Sequence, residues 1–390
     1  MILFIEQILK YMKGYILKLI RTVKLKLDVP VSDIYPTFEN YTKAFNFVCD
    51  VGWKDNDSNG VSLHHKTYYK TREYLPSQLA ISARMKANES LVSCLNKRRK
   101  NKKVRKPHSN ICSIRLDACS YNIWFEKNLI SISTTNGRKR YNISVPKYFQ
   151  QYITWRRGSA ELFIRKSKVF LHITFNKEVT DPQVNSSSYI IGVDRGIINI
   201  AVSSDNKFYK GNQVNRISNK YNYLRGKLQQ CGSKSAKRHL KRLSKKENRF
   251  KKDSNHRISK QIVNSLPENS IIVLEDLKYI RKRTKSWSKD LNRKLNSWAF
   301  SQLEQFLIYK AQSKSILVEY ISAYYTSQKC SNCSHTEKQN RLNQPTFKCK
   351  KCNFQLNADL NASRVIELNY RDSKRYPKRL SVNQPIVAEV

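Results

Sequence analysis

Glycine is scarce in this chain, with 10 among 390 residues. The sequence has no Gly-rich phosphate-binding loop, which argues against a nucleotide-hydrolysing motor. Acidic residues are also few, because 29 Asp and Glu stand against 74 Lys and Arg, for a formal net charge of +45. A compact chain with that charge repels itself. The ordinary explanation is a polyanionic partner, since each phosphate contact releases counterions, and a membrane surface is the rival explanation.

No hydrophobic run is as long as a membrane span, and no signal peptide is visible. Residues 1–20 are apolar but contain Glu6 and three lysines, and their apolar positions recur at helical spacing. This pattern predicts a docking helix or an N-terminal extension, with a membrane-surface helix as the alternative. We therefore expect a cytoplasmic protein, associated with the nucleoid through DNA and without a membrane partner.

Nine cysteines divide into two groups. Five are scattered, and this odd remainder indicates a reducing interior rather than disulfides: Cys49, Cys94, Cys112, Cys119 and Cys231. The other four form the pattern Cys330-x-x-Cys333 and Cys349-x-x-Cys352. Two such knuckles supply four thiolates that can close tetrahedrally on Zn²⁺, and four protein ligands leave no open position. The sequence therefore predicts a structural zinc site.

The residues that follow the knuckles are unusual for this pattern. Ser334 and Asn353 stand where glycine is common, at turns that favour left-handed backbone. Asn tolerates that conformation better than Ser, so we expect slight strain in the first knuckle. His335 lies inside the pattern and is an alternative zinc ligand.

Three acidic residues lie at the ends of predicted elements. Asp194 and Glu275 each end a short apolar strand, and Asp359 begins a helix. A buried carboxylate is costly unless it binds a cation or caps a turn, and an acid at a helix start can simply complement the helix dipole. Asp276 competes with Glu275 for its role. Together the three acids predict a nuclease site that holds two Mg²⁺ ions about 4 Å apart, with Mn²⁺ as an alternative ion.

Two further regions predict contacts with nucleic acid. Residues 111–176 combine several strands with interleaved basic and aromatic residues, as in a barrel-like binding module; a small sheet with one wet face is the alternative. After a linker at 180–188, residues 207–260 hold 18 Lys or Arg and two acids. We expect this segment to form a helical arm along a nucleic-acid backbone rather than an amphipathic core helix.

Four short segments resemble the TnpB (OrfB) family of transposon-encoded proteins, which is similar to the type V CRISPR effector nucleases. They are residues 192–196, 273–277, 326–333 and 359–362. The resemblance covers most of the chain, and the motifs occur in the order of the family. Val365 departs from the pattern, because the family often has Asn there.

The resemblance implies an α/β fold, in which an RNase H-like RuvC nuclease domain carries an inserted zinc ribbon and follows an OB-like β-barrel wedge domain. The implied division is an extension at 1–20, a wedge barrel at 21–180 with a helical recognition insert at about 37–106, the nuclease domain at 189–370 with its ribbon at 326–355, and a loose tail at 371–390.

The resemblance also implies a function, with Asp194, Glu275 and Asp359 as the catalytic triad. The family cleaves DNA under the guidance of an RNA from the element, beside a short flanking motif, so base pairing reads most of the target. The expected partners are target DNA and guide RNA. Two alternatives stay open: a transposase that performs strand transfer, and a non-catalytic RNA- and DNA-binding zinc-ribbon protein. His256 is a further candidate, for substrate contact or for a structural role.

Overall fold

The computed structural model of the protein describes residues 16–185, 187–278, 280, 288–297 and 299–373. Contacts divide the described chain into two compact units, an N-terminal unit at 18–178 and a C-terminal unit from 179 onward.

The N-terminal unit places three helices between its first strand and the other six. Its elements are β1 (Ile16–Leu27), α1 (Val31–Lys54), α2 (Gly60–Arg72), α3 (Ser77–Arg99), β2 (Ile114–Leu116), β3 (Tyr121–Trp124), β4 (Leu129–Thr134), β5 (Gly137–Asn142), β6 (Arg156–Arg165) and β7 (Lys168–Thr180). One sheet has the order β1-β7-β6-β2 and the other the order β3-β4-β5. Both sheets and all three helices contribute to one hydrophobic core.

The sequence predicted much of this unit. The alternation of apolar positions over 169–175 predicts a strand, and β7 confirms it because these side chains are all buried: Val169, Leu171, Ile173 and Phe175. The sequence also predicts helices over 37–50 and 78–96, and these lie within α1 and α3. Helix α2 was not predicted, although Asn59 Oδ1 accepts hydrogen bonds from the backbone N–H groups of Val61 and Ser62, which is a typical N-cap.

The C-terminal unit is built on a five-stranded sheet with helices on both faces. Its elements are β8 (Ile190–Asp194), β9 (Asn199–Ser203), β10 (Lys207–Lys210), α4 (Asn212–Cys231), α5 (Lys234–Asn264), β11 (Ile271–Asp276), α6 (Lys289–Ser297), α7 (Phe300–Gln312), β12 (Leu317–Ser322), β13 (Thr346–Lys348), β14 (Gln355–Asn357) and α8 (Ala358–Ser373). The sheet has the order β10-β9-β8-β11-β12. Strands β10, β9 and β8 pair antiparallel, whereas β11 pairs parallel with both β8 and β12.

The two faces of this sheet bury different helices. Val193 and Leu274 belong to the core formed with α5 and α7, and Val273 belongs to the core formed with α8. Because side chains alternate along a strand, Asp194 and Glu275 lie on the α8 face. Gly192 allows α8 to approach closely, since a Cβ atom there would lie 2.1 Å from the Ser363 carbonyl oxygen.

The prediction of a helical arm at 207–260 is wrong in part. The segment begins with strand β10, and Gly232, with φ of 63°, then separates two helices. Helix α4 buries none of its residues, as expected of an arm. The C-terminal half of α5 instead buries Ile258, Ile262 and Val263 in the core of the unit. The signal for the break was the Gly232-Ser233 pair, a C-cap followed by an N-cap.

The chain ends extend beyond the described residues. Of the helix predicted at 1–20, residues 1–15 are not described, and residues 16–20 belong to strand β1 instead, so the prediction is wrong there. Of the tail predicted at 371–390, residues 371–373 continue α8, and the rest lies outside the described residues. Within the described ranges, every helix is too short or too polar to cross a bilayer.

Candidate active site and four-cysteine centre

Asp194 and Glu275 lie in register at the ends of the neighbouring parallel strands β8 and β11, and Asp359 lies in the first turn of α8, which packs on the same face. Burial raises the pKa of Asp194 well above its usual value, and the charges of Glu275 and Asp359 raise it further. Burial also raises the pKa of Glu275, against the hydrogen bond from Thr326 and the charge of Arg195. The fold therefore concentrates negative charge where β8, β11 and α8 meet, which is costly unless a cation binds.

Asp359 is held by residues from three segments. The Asn357 side chain accepts hydrogen bonds from the backbone N–H groups of Asp359 and Leu360, at 3.1 and 3.2 Å, and so caps α8. Asn199 Nδ2 donates to Asp359 Oδ2 at 2.8 Å. Arg341 Nη2 lies 3.6 Å from Asp359 Oδ1. Asp359 is therefore positioned by a helix cap, an amide and a cation.

Glu275 is held by its side chain and by its backbone. Thr326 Oγ1 donates to Glu275 Oε1 at 2.5 Å. The buried Arg195 donates from Nη2 to the Glu275 carbonyl oxygen at 2.6 Å and from Nη1 to Glu304 Oε2 at 2.5 Å. Tyr320 donates in turn to Glu304 Oε1 at 2.9 Å. This network fixes the end of β11 that carries Glu275.

The alternative acid and the alternative histidine have other contacts. Asp276 Oδ1 accepts a hydrogen bond from the Lys278 backbone N–H at 2.9 Å, so this acid caps the turn after β11. The His256 ring stacks on Phe306 with 3.7 Å between ring centroids, and its Nδ1 lies 3.3 Å from the Tyr309 hydroxyl. Burial lowers the pKa of His256. These contacts favour the structural role for His256.

The four predicted zinc ligands cluster. One ligand atom from each of Cys330, Cys333, Cys349 and Cys352 lies within 4.8 Å of the other three. The Sγ atoms of Cys330 and Cys352 are 3.8 Å apart, and those of Cys333 and Cys349 are 3.5 Å apart. Tetrahedral zinc with Zn–S bonds of about 2.3 Å requires sulfur atoms about 3.8 Å apart. The cluster could therefore bind zinc.

The knuckle turns have the backbone that the sequence predicted. Ser334 has φ of 60° and Asn353 has φ of 56°, both left-handed. Their N–H groups donate to the carbonyl oxygens of the first cysteine in each knuckle, at 3.0 Å. His335 Nε2 lies 3.0 Å from Glu337 Oε2 and is not part of the cysteine cluster, so the structure gives it no role as a ligand.

A buried asparagine joins the first knuckle to the helix that carries Asp359. Asn361, which is fully buried, donates from Nδ2 to the Lys329 carbonyl oxygen at 2.8 Å and accepts from the Ser331 backbone N–H at 3.0 Å. The cysteine centre therefore helps to set the position of α8 and of its acid.

The residues that hold the acids in place were not predicted from the sequence. Arg195 follows Asp194 directly, and Thr326 lies in a recognised motif, so their positions carried a signal that was not used. Asn199 and Arg341 have no local pattern. Asn199 meets Asp359 across 160 residues of chain, and only the folded structure brings them together.

Two family models match consecutive parts of the C-terminal unit and the strand before it. A model described as a probable transposase, OrfB of the IS605 type, matches residues 172–284, and a model of the Cas12f1-like TNB domain matches residues 300–366. The first model includes Asp194 and Glu275, and the second includes the four cysteines and Asp359.

Curated and solved proteins resemble the chain over a larger part of its length. A CRISPR-associated endodeoxyribonuclease Cas12f1 from Sulfoacidibacillus thermotolerans is 31% identical over 52% of this chain, which spans only 51% of that relative. A solved Cas12f1, in complex with sgRNA and target DNA, shares the fold with a TM-score of 0.60 at 16% identity, covering 85% of this chain and 81% of that one. A TnpB-like protein of Aquifex aeolicus is 30% identical over 52% of this chain and 74% of its own length. The chain belongs to the TnpB-like family.

Proposed function

We propose that this chain is a metal-dependent DNA endonuclease of a mobile element, guided by an RNA from that element. The observation that carries the proposal is that Asp194 and Glu275 lie in register at the ends of neighbouring parallel strands, with Asp359 at the start of the helix packed on that face. The net charge of +45 supports polyanionic partners. The Cas12f1 relative is named an endodeoxyribonuclease, and the solved Cas12f1 holds sgRNA and target DNA.

The topology supports an RNase H-like, RuvC-type nuclease domain. Three antiparallel strands, β10, β9 and β8, are followed in the sheet by two parallel strands, and a C-terminal helix packs on one face. On this proposal residues 189–370 form the nuclease domain, with the ribbon at 326–355. Residues 21–180 then form a wedge barrel, and helices α1 to α3 form its recognition insert.

The chemistry of the three acids suits divalent metal ions, because their donor set is all oxygen, as Mg²⁺ and Mn²⁺ prefer. Among the described residues only the four cysteines lie close enough together to hold an ion as they stand, so the acids would close around a bound metal. Burial, Glu275 and Asp359 raise the pKa of Asp194 more than Arg341 and Arg195 lower it. Two bound ions would activate a water molecule and stabilise the leaving oxygen of the phosphodiester. Zinc in the cysteine cluster would be structural, because four thiolates leave no open position.

The surrounding residues then keep the carboxylates in position. Thr326 fixes the rotation of Glu275, and Asn199 fixes the rotation of Asp359. Arg195 ties the end of β11 to Glu304 on α7, so the backbone that carries Glu275 cannot move independently. Such supporting hydrogen bonds keep ligands oriented, and their removal typically lowers metal affinity or activity by about 10- to 100-fold.

A paired substitution tests the proposal. The protein would be purified with RNA transcribed from the DNA that flanks its gene, and cleavage of a plasmid with a randomised flanking sequence would be followed with and without Mg²⁺. We expect RNA- and Mg²⁺-dependent breaks, reduced by more than about 100-fold in Asp194→Asn. Asp276→Asn is the matched control and should cut like the wild type. Cutting by Asp194→Asn at the wild-type rate would refute the proposal.

The description of one family model as a probable transposase favours a second candidate, strand transfer. The same reaction run with labelled element ends distinguishes the two activities. Joined products would support the transposase, and simple breaks the endonuclease. Bound RNA and DNA without breaks or joints would support a non-catalytic binder.

A further inference from the structure

Two adjacent tyrosines lie exposed just after strand β12. Tyr324 and Tyr325 are 67% and 64% exposed, so most of each side chain faces solvent. Their rings lie 6.4 Å apart between centroids and are tilted by 45°. Large aromatic side chains at such exposure leave apolar ring surface in water, which a stacked ligand would cover.

The backbone at Tyr325 is held in an uncommon conformation. Its φ is 62°, in the left-handed region that bulky residues rarely adopt. The turn maintains it, because the Tyr325 carbonyl oxygen accepts the backbone N–H groups of Gln328 and Lys329, each at 2.9 Å. Gly or Asn would adopt this conformation at lower cost. A tyrosine here therefore indicates a role for the ring, since strained residues concentrate at functional sites.

The same turn is attached to the acid cluster. The next residue, Thr326, is buried and donates its hydroxyl hydrogen to Glu275. Tyr325 is exposed, whereas the residue directly after it contacts Glu275, a candidate metal ligand. The turn that carries the tyrosines therefore adjoins Glu275, near which a strand with a phosphate at the acids would present its neighbouring bases.

We propose that Tyr324 and Tyr325 form a stacking platform for an unstacked nucleobase next to the scissile phosphate. The proposal rests on the nuclease function above and adds a binding site to it. Every base has a π-face, so such a platform holds a single strand without selecting its sequence. This property suits a guided enzyme, whose sequence choice comes from base pairing. The tyrosines are positioning residues, since they do not contact the reacting atoms.

A coupling experiment tests this platform. Cleavage would be measured for the wild type and for the double variant Tyr324→Leu, Tyr325→Leu, on targets that carry one abasic nucleotide moved stepwise around the cut. On intact DNA we expect the variant to cut about 10-fold more slowly, the range expected when one stacking interaction is removed. At the stacked position, the abasic target should slow the wild type by the same factor of about 10. The same target should slow the variant by less than about twofold, because its stacking interaction is already lost. If the abasic nucleotide and the double substitution slow cleavage by independent factors at every position, the proposal is overturned.

Two controls exclude a folding defect. The variant Tyr324→Phe, Tyr325→Phe keeps the rings and should retain the wild-type rate. Tyr189→Leu removes a tyrosine that is 47% exposed and precedes β8 at the opposite end of that strand from Asp194, and it should show no coupling to any abasic position. A phenylalanine variant that cuts as slowly as the leucine variant would also count against stacking.

A binding measurement separates this proposal from the function on which it rests. The target would carry one 2-aminopurine, moved stepwise, in complex with the protein and its RNA in Ca²⁺. Stacking at the platform should quench its fluorescence at one position, and the leucine variant should abolish that quenching. Quenching without cleavage in Mg²⁺ would refute the nuclease and keep the platform. Cleavage without position-specific quenching would refute the platform alone.

Discussion

Asp194 carries a carboxylate that is harder to ionise in the folded protein than in the unfolded chain, because burial and two neighbouring acids raise its pKa. Between the unfolded and the folded pKa, the folded state therefore binds more protons than the unfolded state. The free energy of unfolding falls as pH rises through that window. Glu275 contributes in the same direction. The site is thus a source of instability that bound cations would relieve.

Replacing this acid should stabilise the metal-free protein. In buffer without Mg²⁺ at neutral pH, we expect Asp194→Asn to raise the free energy of unfolding by on the order of 1 kcal/mol. The gain should shrink on acidification, since the wild-type carboxyl is then protonated as well. Urea titrations at several pH values measure this. Asp276→Asn is the control without a gain, and equal stability of Asp194→Asn and wild type at neutral pH would contradict the argument.

Arg341 would compete with a bound metal ion for the Asp359 carboxylate. Its guanidinium is 3.6 Å from the carboxylate, and both side chains are mostly buried, at 26% and 14% exposure. Removing the Arg341 guanidinium should therefore favour the binding of a metal ion by Asp359. We expect Arg341→Gln to bind Mn²⁺ about fivefold more tightly, which corresponds to about 1 kcal/mol for a partly exposed pair.

Mn²⁺ titration followed by electron paramagnetic resonance tests this effect without requiring cleavage. Arg364→Gln is the matched control on α8, since Arg364 contacts Asn206 rather than an acid of the site. Unchanged or weaker binding in Arg341→Gln would show that Arg341 does not compete with the ion.

At the scale of elements, the position of α8 depends on contacts at both of its sides. Gly192 on β8 lets the helix lie directly against the sheet. Asn361 fixes the same helix to the first cysteine knuckle. The helix that carries Asp359 is therefore held between the sheet and the ribbon, and the ribbon has a structural effect on the site.

Removal of the Asn361 amide should weaken this connection. Asn361→Ala leaves the partly buried Lys329 carbonyl oxygen and Ser331 N–H without this partner, and we expect the free energy of unfolding to fall by about 2 kcal/mol. Zinc should also transfer faster to a coloured chelator. Arg364→Ala is the control, because Arg364 of α8 contacts Asn206, which lies outside the ribbon. Equal zinc transfer in both variants would refute the link.

At this scale the sequence predicted features that depend on a few neighbouring residues. It did not predict contacts between residues that are far apart in the chain. The cysteine spacing and the alternation in β7 are patterns of a few residues, and both are confirmed. Arg195 meets Glu304 across 109 residues and Thr326 meets Glu275 across 51, so no short pattern could predict either pair. The break at Gly232 was local too, but the strong basic pattern around it obscured it.

At the scale of the whole molecule, one part of the positive charge lies on exposed helices of the C-terminal unit. Helix α4 and the first half of α5 carry exposed basic residues at helical spacing, among them Lys237, Lys241 and Lys245. Because exposed cations bind phosphates with release of counterions, this surface should contribute to the salt dependence of nucleic-acid binding.

A triple variant measures that contribution. Changing Lys237, Lys241 and Lys245 to Gln should reduce the slope of log K against log salt by about 0.7 to 0.9 for each phosphate that these lysines neutralise, and so by up to about 3. The triple change to Arg keeps the charge and should keep the slope. An unchanged slope in the Gln variant would place the nucleic acid elsewhere on the protein.

The order in which the chain supplies its acids has a consequence for the cell that makes it. Asp194 and Glu275 emerge from the ribosome well before Asp359, which lies on the last described helix. At about 5–20 residues per second, roughly 10 to 30 s separate the first acid from the third. During that interval the nascent chain has an incomplete set of acids. If the three acids form the proposed nuclease site, a nascent copy is unable to cut DNA throughout that interval.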